Sequence, residues 1–214
     1  MKTISHCSEI GTQACRLVVL EGMPGAGKTT IVEKLAAHGC PVLGEYTTGV
    51  GATVALQDHP GVDHDDAHQA NWTRKAAQAR HLLAAHPAVI CDRDWLSALA
   101  YAYSTGDTAL LQRRAIWALE GLKDQRLLLP EVYVVFDLDP VVSLDRRPQA
   151  TNGHPWSHLH PLHLLRVFYR DPARAVAAHS PVLAELIRSR QRRHLSGHDP
   201  RSVNLVAVRA AVAP

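Results

Sequence analysis

Hydrophobic residues fall into two kinds of pattern along this chain. Short unbroken runs alternate with longer stretches of helical spacing. The unbroken runs are Leu17-Val18-Val19-Leu20, Val42-Leu43 after Pro41, Ala88-Val89-Ile90-Cys91, Val132 to Phe136, and Val203 to Val208. Continuous hydrophobicity of this kind suits strands buried on both faces of a parallel sheet. Helical spacing predicts helices over 28–38, 65–85, 94–104, 108–122, from Pro140 onward, 161–170 and 181–191. Pro140 suits a first helical turn. The stretch from Glu45 to Asp63 is polar. Residues 147–161, with three prolines, one glycine and three histidines, read as a loop. Strand–helix alternation with right-handed crossovers gives a five-stranded parallel sheet with helices on both faces. There is no internal repeat and no linker, so one domain spanning 1–214 is expected.

The first run leads directly into Glu21-Gly22-Met23-Pro24-Gly25-Ala26-Gly27-Lys28-Thr29-Thr30. This is Gly-x-x-x-x-Gly-Lys-Thr between a strand and a helix, the phosphate-binding loop of nucleoside triphosphatases and kinases. Gly22, Gly25 and Gly27 let the backbone curl so that its N–H groups face phosphate oxygens. The helix starting near Lys28 points its positive end at the same phosphates. Lys28 is expected to reach the β- and γ-phosphates, and the Thr29 hydroxyl to ligate Mg²⁺. Pro24, Ala26 and Thr30 complete the expected nucleotide cradle. The fold class is therefore a three-layer α/β P-loop NTPase fold.

Composition narrows the alternatives. Hydrophobic content of 46% and charged content of 20% argue against disorder. A net charge of +3 is spread along the chain. The cluster Arg190-Gln191-Arg192-Arg193 reads as a helix end, so no nucleic acid polymer is expected as a partner. No run approaches the length of a membrane span, and the first residues show no signal-peptide core. Cys7, Cys15, Cys40 and Cys91 lack metal-site spacing and read as reduced thiols. A cytoplasmic protein without membrane contact is the expectation. Two histidine clusters, His59/His64/His68 and His154/His158/His160/His163, match no recurring zinc spacing. Mg²⁺ accompanying ATP is the one metal expected.

A second motif follows the third strand. Asp92-Arg93 is succeeded by Asp94-Trp95-Leu96-Ser97-Ala98-Leu99-Ala100-Tyr101. Strand carboxyl ends line the ligand crevice of such sheets. Asp92 should thus lie near Mg²⁺, and Arg93 near phosphoryl oxygens. Here the chain resembles the thymidylate kinase family and the related deoxynucleoside kinases. The thymidylate kinase signature is Asp-Arg-aromatic-x-x-Ser-x-x-Ala-Tyr, and here the aromatic stands one position late, as Trp95. Leu20-Glu21-Gly22, Phe136-Asp137-Leu138-Asp139-Pro140, Leu144-Asp145-Arg146-Arg147 and Leu165-Arg166-Val167-Phe168-Tyr169 are similar to that family too.

The resemblance implies roles. Glu45, in Gly44-Glu45-Tyr46, stands where nucleoside kinases keep a carboxylate that takes the proton of the attacking hydroxyl. Thymidylate kinases carry Arg-Glu-Pro there, and neither that Arg nor that Pro is present. Arg146 and Arg147 fall where these families have a mobile lid, here at about 146–161, whose arginines stabilise the transferred phosphoryl group; cations dressing a helix end are the equal alternative. Arg74, more than Arg80, has the spacing of the arginine that holds an acceptor phosphate. Tyr46, Gln69 and Trp72 are candidates to stack on or hydrogen-bond a planar acceptor, although Trp72 equally suits ordinary packing.

The sequence is thus read as an ATP-dependent small-molecule kinase. A nucleoside monophosphate is the acceptor that the thymidylate kinase resemblance implies. A nucleoside or another hydroxyl compound, such as an antibiotic or a biosynthetic intermediate, is the alternative. A reading of another class is an ATP-binding switch or ATPase subunit, distinguished by whether turnover needs an acceptor. The absence of Asn-Lys-x-Asp disfavours GTPases. A homodimer is left open.

Overall fold

The computed structural model of the chain describes residues 15–61, 64–147 and 154–212. Cys7, Asp63 and the middle of the expected lid lie outside them. The elements in chain order are β1 (Arg16–Gly22), α1 (Lys28–Ala37), β2 (Val42–Leu43), α2 (Asp65–Leu83), β3 (Ala88–Asp92), α3 (Leu96–Ser104), α4 (Thr108–Lys123), β4 (Val132–Asp137), α5 (Pro140–Asp145), α6 (Leu159–Arg170), α7 (Pro172–Val176), α8 (Pro181–Arg188), β5 (Gln191–Ser196) and α9 (Arg201–Val212). The strands form one sheet in the order β2-β3-β1-β4-β5, and every pair is parallel. This is the three-layer P-loop fold that the sequence pattern predicts.

The central strands are buried nearly throughout, which explains their unbroken apolar runs. Register decides what meets at their carboxyl ends. Leu20 pairs with Asp92, and Gly22 pairs with Phe136. Glu21, Asp92 and Arg93 therefore converge beside the loop that leaves β1. Trp95, Phe136 and Phe168 are fully buried beneath them. Burying a side chain of the Phe class contributes about 1.5–3 kcal/mol. The Trp95 indole N–H donates to the Leu128 carbonyl at 2.9 Å, so its polar atom is satisfied. Asp107, Asp139, Asp171 and Ser180 cap four helices by accepting backbone N–H groups.

One expected strand is a helix. Val203 to Val208 lies inside α9, and the fifth strand is Gln191–Ser196. In α9 the buried residues Asn204, Val208 and Ala211 recur at helical spacing, while Val203 and Val206 are exposed. Among the described residues β5 has one neighbour, β4, and is only partly covered, so Arg192, Arg193 and His194 are tolerated there. Charge on an edge strand also discourages pairing with another chain. The helix expected over 181–191 accordingly stops at Arg188, and Gln191-Arg192-Arg193 belongs to the strand. The expected loop at 147–161 contains a short 3-10 turn, Pro155–Ser157, and α6 begins at Leu159. Among the described residues no helix is long and apolar enough to cross a membrane.

Candidate active site at the strand carboxyl ends

The loop between β1 and α1 wraps tightly over β4. A Cβ on Gly22 would stand 2.2 Å from the Phe136 carbonyl oxygen, and φ there is +118°. Only glycine fits such an approach. Gly27, at φ +91°, turns the chain into α1. The Lys28 side chain folds back, and its Nζ donates to the carbonyls of Gly22 at 3.1 Å and Met23 at 2.9 Å. Burial, with Arg93 nearby, lowers the Lys28 pKa to about 7.

The Thr29 hydroxyl donates to Asp92 Oδ2 at 2.8 Å. Asp92 Oδ1 is buried without a hydrogen-bond partner. Burial and the neighbouring Glu45 raise the pKa of this carboxyl. A hydroxyl beside a carboxylate with an uncommitted oxygen is the hard-oxygen donor set that suits Mg²⁺.

Arg93 is the centre of the site. Its backbone is left-handed, at φ +65°, and its N–H donates to the Leu20 carbonyl at 2.9 Å. Its Nη1 donates to the Ser97 and Tyr169 hydroxyls, each at 3.2 Å, and to Glu21 Oε2 at 3.4 Å. Its Nε ion-pairs with Glu45 Oε1 at 3.1 Å. The Trp156 ring centroid lies 5.8 Å from the guanidinium carbon. Glu21 is fully buried and also accepts from the Tyr169 hydroxyl at 2.7 Å, the Ser97 hydroxyl at 2.8 Å and the Asp94 N–H at 3.1 Å. Burial pushes the Glu45 carboxyl upward, but Arg93 and Lys28 outweigh it and hold the pKa below its ordinary value. Glu45 is therefore a carboxylate at neutral pH.

These groups open onto a cavity of about 1210 Å³. Of the residues singled out in the sequence, Pro24 to Thr30, Glu45, Tyr46, Trp72, Arg93, Arg146 and Arg147 line it. Arg146 Nη1 donates to the Gly197 carbonyl at 2.8 Å and the Gly25 carbonyl at 3.3 Å, fastening the loop after β5 to the glycine-rich loop. Gly22 and Asp92 sit behind this lining and touch it through Lys28 and Thr29. Gln69 and Arg74 lie off it. Gln69 is directed to Asp65 and Arg74 to Asn71, each at 3.4 Å.

Sequence reasoning left several lining groups unassigned. His59 lies beside the candidate Tyr46, ring centroids 4.2 Å apart and tilted by 46°, and Tyr46 in turn lies 5.6 Å from Trp72. Tyr101 and Trp156 stand 5.9 Å apart, also on the lining. The buried Arg114 joins them, held by Asp65 at 2.8 Å and by the Ala98 carbonyl at 2.8 Å, with its guanidinium 5.2 Å from the Tyr101 centroid. Glu21, Arg93, Ser97 and Tyr169 all stand in the quoted motifs, but their spacing does not show that they meet in one buried network. Nothing in spacing pointed to Arg114, which reaches the cavity from α4.

Comparison with known proteins agrees with this architecture. No curated protein is matched by the sequence. Among solved structures, deoxyadenosine kinase from M. mycoides with bound dATP is similar at a TM-score of 0.60 and 11% identity, covering 91% of this chain and 98% of that one. The same kinase with the products dCMP and a flexible dCDP aligns at a TM-score of 0.56 and 12% identity, covering 91% and 97%. At such identity the likeness speaks for the fold. A family model described as an AAA domain matches residues 17–149, from β1 to just past α5. With its phosphate-binding loop, all-parallel sheet and matched span, the chain belongs to this AAA domain family.

Proposed function

We propose that this chain is an ATP-dependent kinase that transfers the γ-phosphoryl group to a hydroxyl of a nucleoside-like acceptor. The observation that carries the reading is Glu45, a carboxylate paired with Arg93 at 3.1 Å and lining the cavity. A hydroxyl acceptor must lose a proton during attack, and a carboxylate within reach can take it. A monophosphate acceptor is already anionic and needs cations. Arg74, the cation expected to meet it, is turned to Asn71 and lies off the cavity. Arg114 does line the cavity, but Asp65 already neutralises it. The reading thus departs from the nucleoside monophosphate that the thymidylate kinase resemblance implies. Its fold-level support is the likeness to deoxyadenosine kinase, which is an analogy.

The residues divide the work by place. The glycine-rich loop and the start of α1 receive the triphosphate. Lys28, now held by the Gly22 and Met23 carbonyls, would turn to the β- and γ-phosphate oxygens when the triphosphate binds. Arg146 and Arg147 add cations around the transferring group, where positioned charge lowers the barrier, while Arg93, paired with Glu21 and Glu45, holds the base in place. Thr29 and Asp92 would hold Mg²⁺, which neutralises phosphate charge when bound. The rings of Tyr46, Trp72, Tyr101 and Trp156 supply flat apolar surface for a planar acceptor.

The test is ADP release from magnesium ATP with nucleosides, nucleoside monophosphates and no acceptor. Turnover that depends on a nucleoside or similar hydroxyl compound is expected. Stimulation by monophosphates alone, or acceptor-independent hydrolysis, would overturn the reading in favour of a nucleotide kinase or an ATPase.

A further inference from the structure

Lys75 lies one residue past Arg74 on α2 and approaches the site from behind. Its residue is 3% exposed, and its ammonium donates to the backbone carbonyls of Asp92 at 2.7 Å, Arg93 at 2.8 Å and Glu45 at 3.4 Å. An ammonium has three N–H donors and no acceptor, so these three carbonyls use its full capacity. The same group stands 5.1 Å from the Trp72 ring centroid. A charge this buried is costly unless its partners compensate. The partners here are main-chain oxygens of three residues to which the proposed reaction assigns tasks, and they come from two separate segments.

The backbone of Arg93 gives the second observation. Its φ of +65° is a conformation that a long side chain keeps only where surrounding contacts enforce it. The N–H is fixed by Leu20 and the carbonyl by Lys75. With both ends of the residue held, the turn brings its guanidinium to Glu45 and its successor's N–H to Glu21.

We propose that Lys75 is a positioning residue for phosphoryl transfer: its ammonium ties together the backbones of Glu45, Asp92 and Arg93 and holds Arg93 in the left-handed turn that directs its guanidinium at Glu45. The kinetic consequence rests on the kinase reading above; the conformational consequence does not.

Lys75→Met tests both, since Met preserves length and removes the donors. In the kinetic arm kcat should fall about 10²-fold, the scale set by a misplaced reacting group. Acceptor KM and the affinity for a non-hydrolysable ATP analogue should stay within about twofold. In an Arg93→Ala background, Lys75→Met should lower kcat by clearly less than in the wild type, because the share of its effect that runs through the guanidinium is already lost while its hold on the Glu45 and Asp92 backbones remains. In the structural arm, a crystal structure of Lys75→Met should show Arg93 out of the left-handed region and parted from Glu45. An unchanged kcat, additive losses, or Arg93 still in place would overturn the proposal. If the wild-type chain transfers no phosphoryl group, the kinase reading fails, and the crystal structure alone decides the positioning role. Lys75→Gln, which keeps one amide donor, takes the same tests if the Met variant does not fold. Failure of both to fold would make Lys75 a structural residue and overturn the proposal.

Discussion

Arg93 and Glu45 form an ion pair at 3.1 Å in which the guanidinium is buried and the carboxylate is 31% exposed. The pair places a fixed cation behind the acid and leaves the acid open to the cavity. Glu45→Gln keeps the shape and removes the base. It should lower kcat by about 10²- to 10⁴-fold, the range for positioned acid–base groups, with little change in acceptor KM. Steady-state kinetics with a hydroxyl acceptor checks this. A loss confined to KM would give Glu45 a binding role only.

Glu21 accepts from Tyr169, Ser97, the Asp94 N–H and Arg93 with no exposed surface. Truncating it leaves the Arg93 charge and two hydroxyls short of a partner in the interior. Glu21→Ala should destabilise the fold by about 3–5 kcal/mol, as breaking a buried ion pair does. Urea denaturation measures it. A cost under about 1 kcal/mol would mean that Arg93 re-pairs fully with Glu45.

Lys28, with its pKa lowered to about 7 by burial and by Arg93, is largely neutral in the free protein at pH 8. Phosphate oxygens favour its charged form and raise the pKa again. Binding of a magnesium nucleotide should therefore take up close to one proton at pH 8 and far less at pH 6, where Lys28 is already protonated. Calorimetry in two buffers of different ionisation enthalpy reads the proton count. Lys28→Met should abolish the uptake, and equal uptake at both pH values would contradict the account.

Arg74 is half-buried and turned to Asn71, so it has no assigned part in acceptor binding. Arg74→Ala should leave kcat and acceptor KM within about twofold and stability within about 1 kcal/mol. A sharp rise in KM for a phosphorylated acceptor would restore the monophosphate expectation.

The sequence made the phosphate-binding loop, four of five strands and the Asp92–Arg93 motif legible because each carries a local pattern. The fifth strand was hidden. An edge position tolerates the polar run Gln191–Ser196, while α9 presents Val203, Leu205 and Val206 in a strand-like run. The candidate site was half legible. Arg74 and Lys75 are adjacent in sequence, yet neighbouring helix positions point about 100° apart. Only the packed structure places Lys75 beneath Arg93 and turns Arg74 away. Glu21 stood in the quoted motif without a role, because its partners Ser97 and Tyr169 arrive from α3 and α6. Arg114 reaches the cavity through tertiary packing of α4 and had no signal of its own.

The most direct measurement follows the label from [γ-³²P]ATP into product, with a panel of nucleosides and their monophosphates as acceptors. Label should appear in a new phosphate monoester on a previously unphosphorylated acceptor and be lost in Glu45→Gln. Label found only in diphosphates, or only in inorganic phosphate, would contradict transfer to a hydroxyl.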